Sequence, residues 1–466
     1  MTFSLKIHQA RGVEIGVQRP RYGWGWKPGC GKTILSWGIC DAVPMKSVVV
    51  CPPVLVRAAW MKDCGFFPKL KPVVIHEQPK PERTRIIQSA GWDTVIITPE
   101  IFRKHADDLL RAGVKRLFFD ESSKMRNPEA KITKAVHAFS DKIDSCYMLS
   151  GTMAPNNVTE YWGSLRPLGG PKSRSYWQFA YEYAYPVKVR QWMKNPKTGR
   201  AEEREVIKTW LQTEEHKIKL QAVLERWVQF LRLEDCVDMP PQSDMQIEVV
   251  MTAKEATAYK AARDELRLET SDGRSEGIKA GAALMKMRQL ASGMVITPIG
   301  VKVHGSSKLE ALGDILDEIG PDESVVIWAE FTHEIDAIVQ YIKDRGESVE
   351  RIDGHKEDDA HHIISRFQSG GTTRLVCHPA SVGHGATLTK AKYDVEFSGS
   401  FSRDQFEQKR CRIYRIGQHH PVVHYQLIAV LPGAAGRARN TTDYLHDRIA
   451  RHKMEVTDAI EAACAK

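Results

Sequence analysis

Two patterns are missing from this 466-residue chain. Its nine cysteines are scattered with no Cys-x-x-Cys pair, which points away from both a disulfide framework and a zinc site and fits a reducing compartment. No apolar run is long enough to span a bilayer, and the N-terminus has no basic-then-apolar signal segment. The two halves show no obvious internal repeat. Neither sign of charge dominates: 67 Lys and Arg against 58 Asp and Glu leave +9, a modest bias toward a polyanionic partner. With 42% hydrophobic and 27% charged residues, the composition is that of a globular protein with room for about two or three cored domains.

Near the front of the chain stands Gly29-Cys30-Gly31-Lys32-Thr33. Glycines flanking one residue let a backbone wrap closely around an anion, because a Cβ would obstruct the turn. In such a cradle Lys32 neutralises the β- and γ-phosphates of a nucleotide, and the Thr33 hydroxyl ligates Mg²⁺. Ile34-Leu35-Ser36-Trp37 continues as the start of a helix whose N-terminus adds partial positive charge. Taken alone, the segment also reads as an ordinary glycine-rich turn. The match is to the short G-x-G-K-T core, since Gly25 lies one place before the usual first glycine and Trp26 fills that position.

A second element raises the weight of the first. Arg116-Leu117-Phe118-Phe119 reads as a short buried strand that ends on Asp120-Glu121. Ligands of open α/β sheets gather at the carboxyl ends of strands. There Asp120 holds Mg²⁺ through its water shell, and Glu121 orients and deprotonates an attacking water. Phosphoryl transfer asks little more of a protein than such positioning and charge neutralisation. Arg412 and Arg415, in Gln408–Gln418, stand at i, i+3 and are expected on one helix face, where guanidinium groups suit the charge on a transferring phosphoryl group. A solvated basic helix is the plainer reading of that run.

These residues resemble the SNF2-like branch of superfamily 2 helicases and translocases (DEAD/DEAH-box-like proteins), especially its compact phage and prophage members. The resemblance runs from Gln9 to about Lys453, with motifs in family order. Ile7-His8-Gln9 is similar to the segment whose glutamine reads adenine, so Gln9 joins Gly29, Cys30, Gly31, Lys32 and Thr33 as a nucleotide contact. Val48–Pro53 with Trp60 resembles motif Ia, and Ile96–Glu100 the next strand-to-loop motif. Asp120–Asn127 resembles motif II, and Leu149–Asn157 motif III. Val325–Phe331 resembles motif IV, His378–Leu388 motif V and 408–418 motif VI. The resemblance implies that Pro53, Thr98, Ser381 and Gly383 contact nucleic acid, that Lys32, Asp120, Glu121, Arg412 and Arg415 carry hydrolysis, and that Thr33 and Asp120 serve the metal. Departures are Trp26-Lys27-Pro28 in place of an acidic-acidic-apolar lead, Ser123 for histidine, Met153 for proline and Thr387 for asparagine.

The expected fold class is α/β, with two RecA-like parallel-sheet lobes and helical protrusions between them. Strands are expected at 48–54, 94–98, 116–120 and 146–150, and again at 325–329, 349–352, 373–377 and 393–397. Residues 1–168 form the first lobe and 301–466 the second, with a bracing helix over Thr442–Lys453. Between them, 169–300 holds the protrusions, the Pro240-Pro241 link and a hairpin. Val187–Met193 alternates, Asn195–Gly199 turns and Glu203–Ile207 returns, with Lys188, Arg190, Lys194, Lys197, Arg200 and Arg204 as phosphate contacts or as a merely solvated face.

The resemblance implies an ATP- and Mg²⁺-dependent motor on double-stranded DNA with little sequence specificity, since backbone contacts do not read bases. The chain reads as a bare motor, without an added zinc finger, chromatin reader or nuclease, targeted by a protein partner or by its own contacts. A host cytoplasm is the expected setting. Two alternatives stay open: a strand-separating helicase on DNA or RNA, and a nucleic-acid-binding scaffold that no longer hydrolyses ATP.

Overall fold

Val48, Val49 and Val50, like Leu117, Phe118 and Phe119, are solvent-free, as apolar runs are when helices cover both faces of a parallel sheet. The computed structural model describes residues 3–170, 175–194, 201–271, 277–354, 357–382, 386–400, 402–433, 441–445 and 447. Two units emerge. Up to Lys188 and over Ile207–Asp238 the chain forms the first, and from Met239 onward it forms most of the second.

In the first unit, β1 (Arg21–Trp26), β2 (Ser47–Val50), β3 (Pro72–Val74), β4 (Thr94–Ile97), β5 (Arg116–Asp120) and β6 (Ser145–Leu149) are all paired in parallel. The hairpin expected from alternation is present as β7 (Tyr185–Lys194) and β8 (Ala201–Leu211), and its turn lies outside the described residues. A further parallel strand, β9 (Val228–Leu231), completes the order β3-β4-β2-β5-β6-β1-β9.

The tryptophan-glycine lead before the phosphate loop is strand β1, which periodicity did not anticipate. Its glycines face β9: a Cβ at Gly23 would press on Val228, and one at Gly25 would overlap the Phe230 ring. Trp24 and Trp26 bury their rings edge to face, 5.4 Å apart, against the Ile7–Gln18 helix. That helix approaches closely because Gly12 and Gly16 leave room for Trp26 and Ile39. The alternation of large and absent side chains therefore docks the Gln9-bearing helix on one side and β9 on the other.

The second unit repeats the plan. Strand β10 (Gln242–Val250) precedes a small antiparallel pair, β11 (Met294–Thr297) and β12 (Gly300–Val303). Then come β13 (Val325–Trp328), β14 (Val349–Ile352), β15 (Arg374–Cys377), β16 (Tyr393–Glu396) and β17 (Val422–Val430). All pairings in the order β10-β17-β16-β13-β15-β14 are parallel. Two parallel sheets with crossover helices are the arrangement of two RecA-like lobes. The helix-rich stretch between them contributes β9 to one sheet and β10 to the other. Of the expected bracing helix, only Thr442–Leu445 and Asp447 are described.

Candidate nucleotide site

Strand β1 hands the chain to a loop with Gly29 at φ 93° and Gly31 at φ 83°, left-handed conformations that cost other residues free energy. Gly31 then caps the Lys32–Ala42 helix, so the loop's backbone N–H groups lie at a helix N-terminus. Gln9 comes to this loop from the first helix. A Cβ on Gly31 would overlap the Gln9 side-chain amide, whose oxygen accepts from the Lys6 backbone N–H at 3.0 Å. The neighbouring His8 ring nitrogen lies 2.9 Å from the Cys30 carbonyl. Gln9 and the loop, expected to share a nucleotide, are thus adjacent. Lys32 Nζ donates to the Trp26 carbonyl at 2.6 Å.

Asp120 ends β5 with its side chain buried. Burial, and next the Glu121 charge, push its carboxyl up to about 6, with Lys32, the Trp60 indole and the Glu121 amide opposing the rise. Trp60 Nε1 donates to Asp120 Oδ2 at 2.9 Å, and the Glu121 N–H donates to Oδ1 at 3.0 Å. Glu121 has φ 55°, the one positive φ outside glycine among the described residues. Its carboxylate is thereby turned off the strand line, while Ser122–Met125 closes into a 3₁₀ turn behind it.

Two further residues belong to this constellation. Trp60 lies on a π-helical turn, Val56–Met61, after β2, and its carbonyl also accepts from Trp37 Nε1 at 2.9 Å. Asp63, a helical turn beyond, accepts from Thr33 Oγ1 at 2.6 Å. From residue order alone, Trp60 stands only in the motif Ia resemblance and Asp63 has no assigned role. Their i, i+3 spacing after Pro53 was the one signal that could have joined them. Pro53 starts the helix after β2, and the buried Thr98 caps the helix after β4. Because β4, β2 and β5 are successive neighbours in register, both lie on the same rim of the sheet as Asp120.

In the second unit, the helix face expected for Arg412 and Arg415 does not form. The helix is Arg403–Ile413, and Tyr414 leaves it at φ −88°, ψ 88°. Arg415 follows in the turn that ends at Gly417, φ 98°, where its guanidinium donates to the Ala386 carbonyl at 3.0 Å. The Arg412 carbonyl accepts from the Leu388 N–H at 2.8 Å, and Gln418 Nε2 donates to the Thr389 and Ala391 carbonyls. Segments 386–391 and 412–418 are therefore stitched together, and backbone satisfaction at this junction overrides the helical continuation. Ser381 packs on Gly354, held left-handed at φ 87°. Gly383 lies outside the described residues.

Residues 8–293 match the SNF2-related domain, and residues 307–417 match the helicase conserved C-terminal domain. The chain belongs to the SNF2-related family. Similar proteins include chromodomain-helicase-DNA-binding protein 1-like of Mus musculus, 23% identical over 89% of this chain and 44% of that protein. ATP-dependent DNA helicase DDM1 of Arabidopsis thaliana is 22% identical over 91% of this chain and 58% of its own length. A protein designated p41 of Acyrthosiphon pisum secondary endosymbiont phage 1 is 24% identical over 60% of this chain and 58% of its own. The chain thus spans about half the length of these relatives. A solved structure titled as the Sulfolobus solfataricus SWI2/SNF2 ATPase core in complex with dsDNA aligns over 98% of this chain and 95% of its own, at 20% identity and a TM-score of 0.42.

Proposed function

We propose that this chain is an ATP-dependent motor that translocates along double-stranded DNA. The observation that carries the reading is the convergence of Gln9, the Gly29–Thr33 loop, Trp60, Asp63 and the Asp120-Glu121 pair at the carboxyl end of one parallel sheet. Left-handed glycines at a helix N-terminus, beside a lysine, fit a nucleotide triphosphate tail. The Thr33 hydroxyl and the Asp120 carboxylate are hard oxygen donors that suit Mg²⁺, and each keeps a lone pair beyond its protein hydrogen bonds. The metal, when bound with the nucleotide, neutralises charge on the phosphates.

The chain's own residues then have separable tasks. Gln9 faces the loop to hold the adenine end, and Lys32 supplies charge to the phosphates. Glu121, set off the strand by its backbone conformation, accepts the proton of the attacking water. Arg412 and Arg415 stabilise charge on the transferring group. Pro53, Thr98, Ser381 and Gly383 touch the nucleic-acid backbone and give little sequence specificity. Targeting comes from a protein partner or from the chain's own backbone contacts, and the setting is cytoplasmic. Among the described residues no helix is long and apolar enough to cross a membrane.

The test is the steady-state ATPase rate at one fixed low salt with no polymer, single-stranded DNA, duplex DNA or duplex RNA. Stimulation by duplex DNA alone supports the translocase. Preference for single strands or RNA favours a strand-separating helicase, and binding without turnover favours a scaffold.

A further inference from the structure

The helix Tyr176–Tyr183 buries Phe179, Ala180 and Tyr183 and turns Trp177 and Tyr181, four residues apart, the other way. These two residues are 54% and 53% exposed, unusual for large aromatics. Trp210, near the end of β8, lies with its ring centroid 6.2 Å from Trp177 and 5.4 Å from Tyr181. The three rings form one group, anchored from beneath. Tyr176 meets Trp177 edge-on at 5.4 Å, and buried Trp162 meets Tyr176 at 5.8 Å. Gln212 Nε2 ties the end of the hairpin to the Tyr183 carbonyl at 2.9 Å. Rings held this way need little ordering on binding.

A cationic side chain stands beside the group. Lys208 alternates with Trp210 on one face of β8, is exposed and has no acidic partner among the described residues. Two carboxylates just beyond the hairpin are paired, Glu214 with Lys217 at 2.6 Å and Glu215 with Lys219 at 2.6 Å. Exposed aromatic side chains beside a lysine match a ligand of flat rings on an anionic backbone.

We propose that Trp177, Tyr181 and Trp210 form a stacking platform for the unpaired bases of a single-stranded nucleic acid, with Lys208 on its phosphate. This goes beyond tracking of a duplex by backbone contacts, and it does not require ATP turnover.

The test uses the full chain without nucleotide at fixed low salt. The probes are a short oligothymidylate, an abasic strand of equal length and a blunt DNA duplex, read by tryptophan fluorescence and by anisotropy of the labelled probe. Oligothymidylate is expected to bind and quench tryptophan emission, and the abasic strand to bind more weakly. Trp177→Ala should weaken oligothymidylate binding about tenfold or more without altering duplex binding. Trp177→Tyr should restore most of it, which guards against a folding defect. Lys208→Ala should reduce the salt slope for the single strand by about 0.7. Equal affinity for the abasic strand, or unchanged binding by Trp177→Ala, overturns the proposal. Loss of self-association or of a protein contact in Trp177→Ala, with oligothymidylate binding intact, also overturns it and assigns the face to a protein.

Discussion

The indole N–H of Trp60 donates to the buried carboxylate of Asp120 at 2.9 Å. It is one of the groups that oppose the effect of burial on Asp120, whose carboxyl nevertheless lies at about 6. In the proposed role Asp120 serves a metal only when ionised, so ATPase activity should fall as pH drops through about 6. Trp60→Phe removes the donor and should move that acid limb upward by about one pH unit. A pH–rate profile of both proteins checks this. The stability sign runs the other way. Asp120 holds its proton more tightly in the folded chain, so its contribution is fully present below its ordinary value of 3.8 and is lost as pH rises through about 6.

Glu121→Gln should retain nucleotide binding and lower turnover about a hundredfold or more, because shape is kept and the base is lost. Glu121→Gly should also abolish turnover, yet cost little stability or raise it by about 1 kcal/mol, since φ 55° suits glycine. Fluorescent-nucleotide titration, steady-state kinetics and thermal melting separate the effects. Unchanged turnover in Glu121→Gln would remove Glu121 from the chemistry.

Gly31→Ala meets two obstacles, the left-handed φ of 83° and the Gln9 amide. A stability loss of about 1–3 kcal/mol is expected, together with weakened nucleotide binding. Adding Gln9→Ala should relieve the overlap and leave the backbone cost, so the double variant should be less destabilised than additivity predicts. Denaturant melts of the four proteins measure that coupling.

Arg415→Ala should impair hydrolysis more than nucleotide binding. The variant also loses the hydrogen bond to Ala386, so melting should shift modestly. Equal losses in binding and turnover would make Arg415 structural.

Much of the site could be read from residue type and order. Gly29–Thr33 needed only the chemistry of an anion cradle, and Asp120-Glu121 needed only an apolar run that stops at two carboxylates. Most core strands were readable because a parallel sheet buried on both faces demands continuous Val, Ile and Phe. The same rule missed β1, where the apolar period is broken by glycines whose purpose is to admit Phe230 and Val228 from distant β9. The tryptophan-glycine alternation of β1 becomes explicable only when those neighbours are in place.

Local chemistry was legible from residue order: a loop able to wrap phosphate, a strand that ends on carboxylates, two alternating runs that pair as a hairpin. These depend on residues close along the chain, through φ preference and side-chain period. Tertiary structure decided the pairings between distant residues: Asp63 with Thr33, Trp60 with Asp120, Gln9 over Gly31 and Arg415 onto Ala386. It also ended the 403–413 helix before Arg415, and it gathered Trp177, Tyr181 and Trp210 into one exposed group. Such contacts arise from packing across elements, where a side chain's partner is set by the register of whole strands and helices.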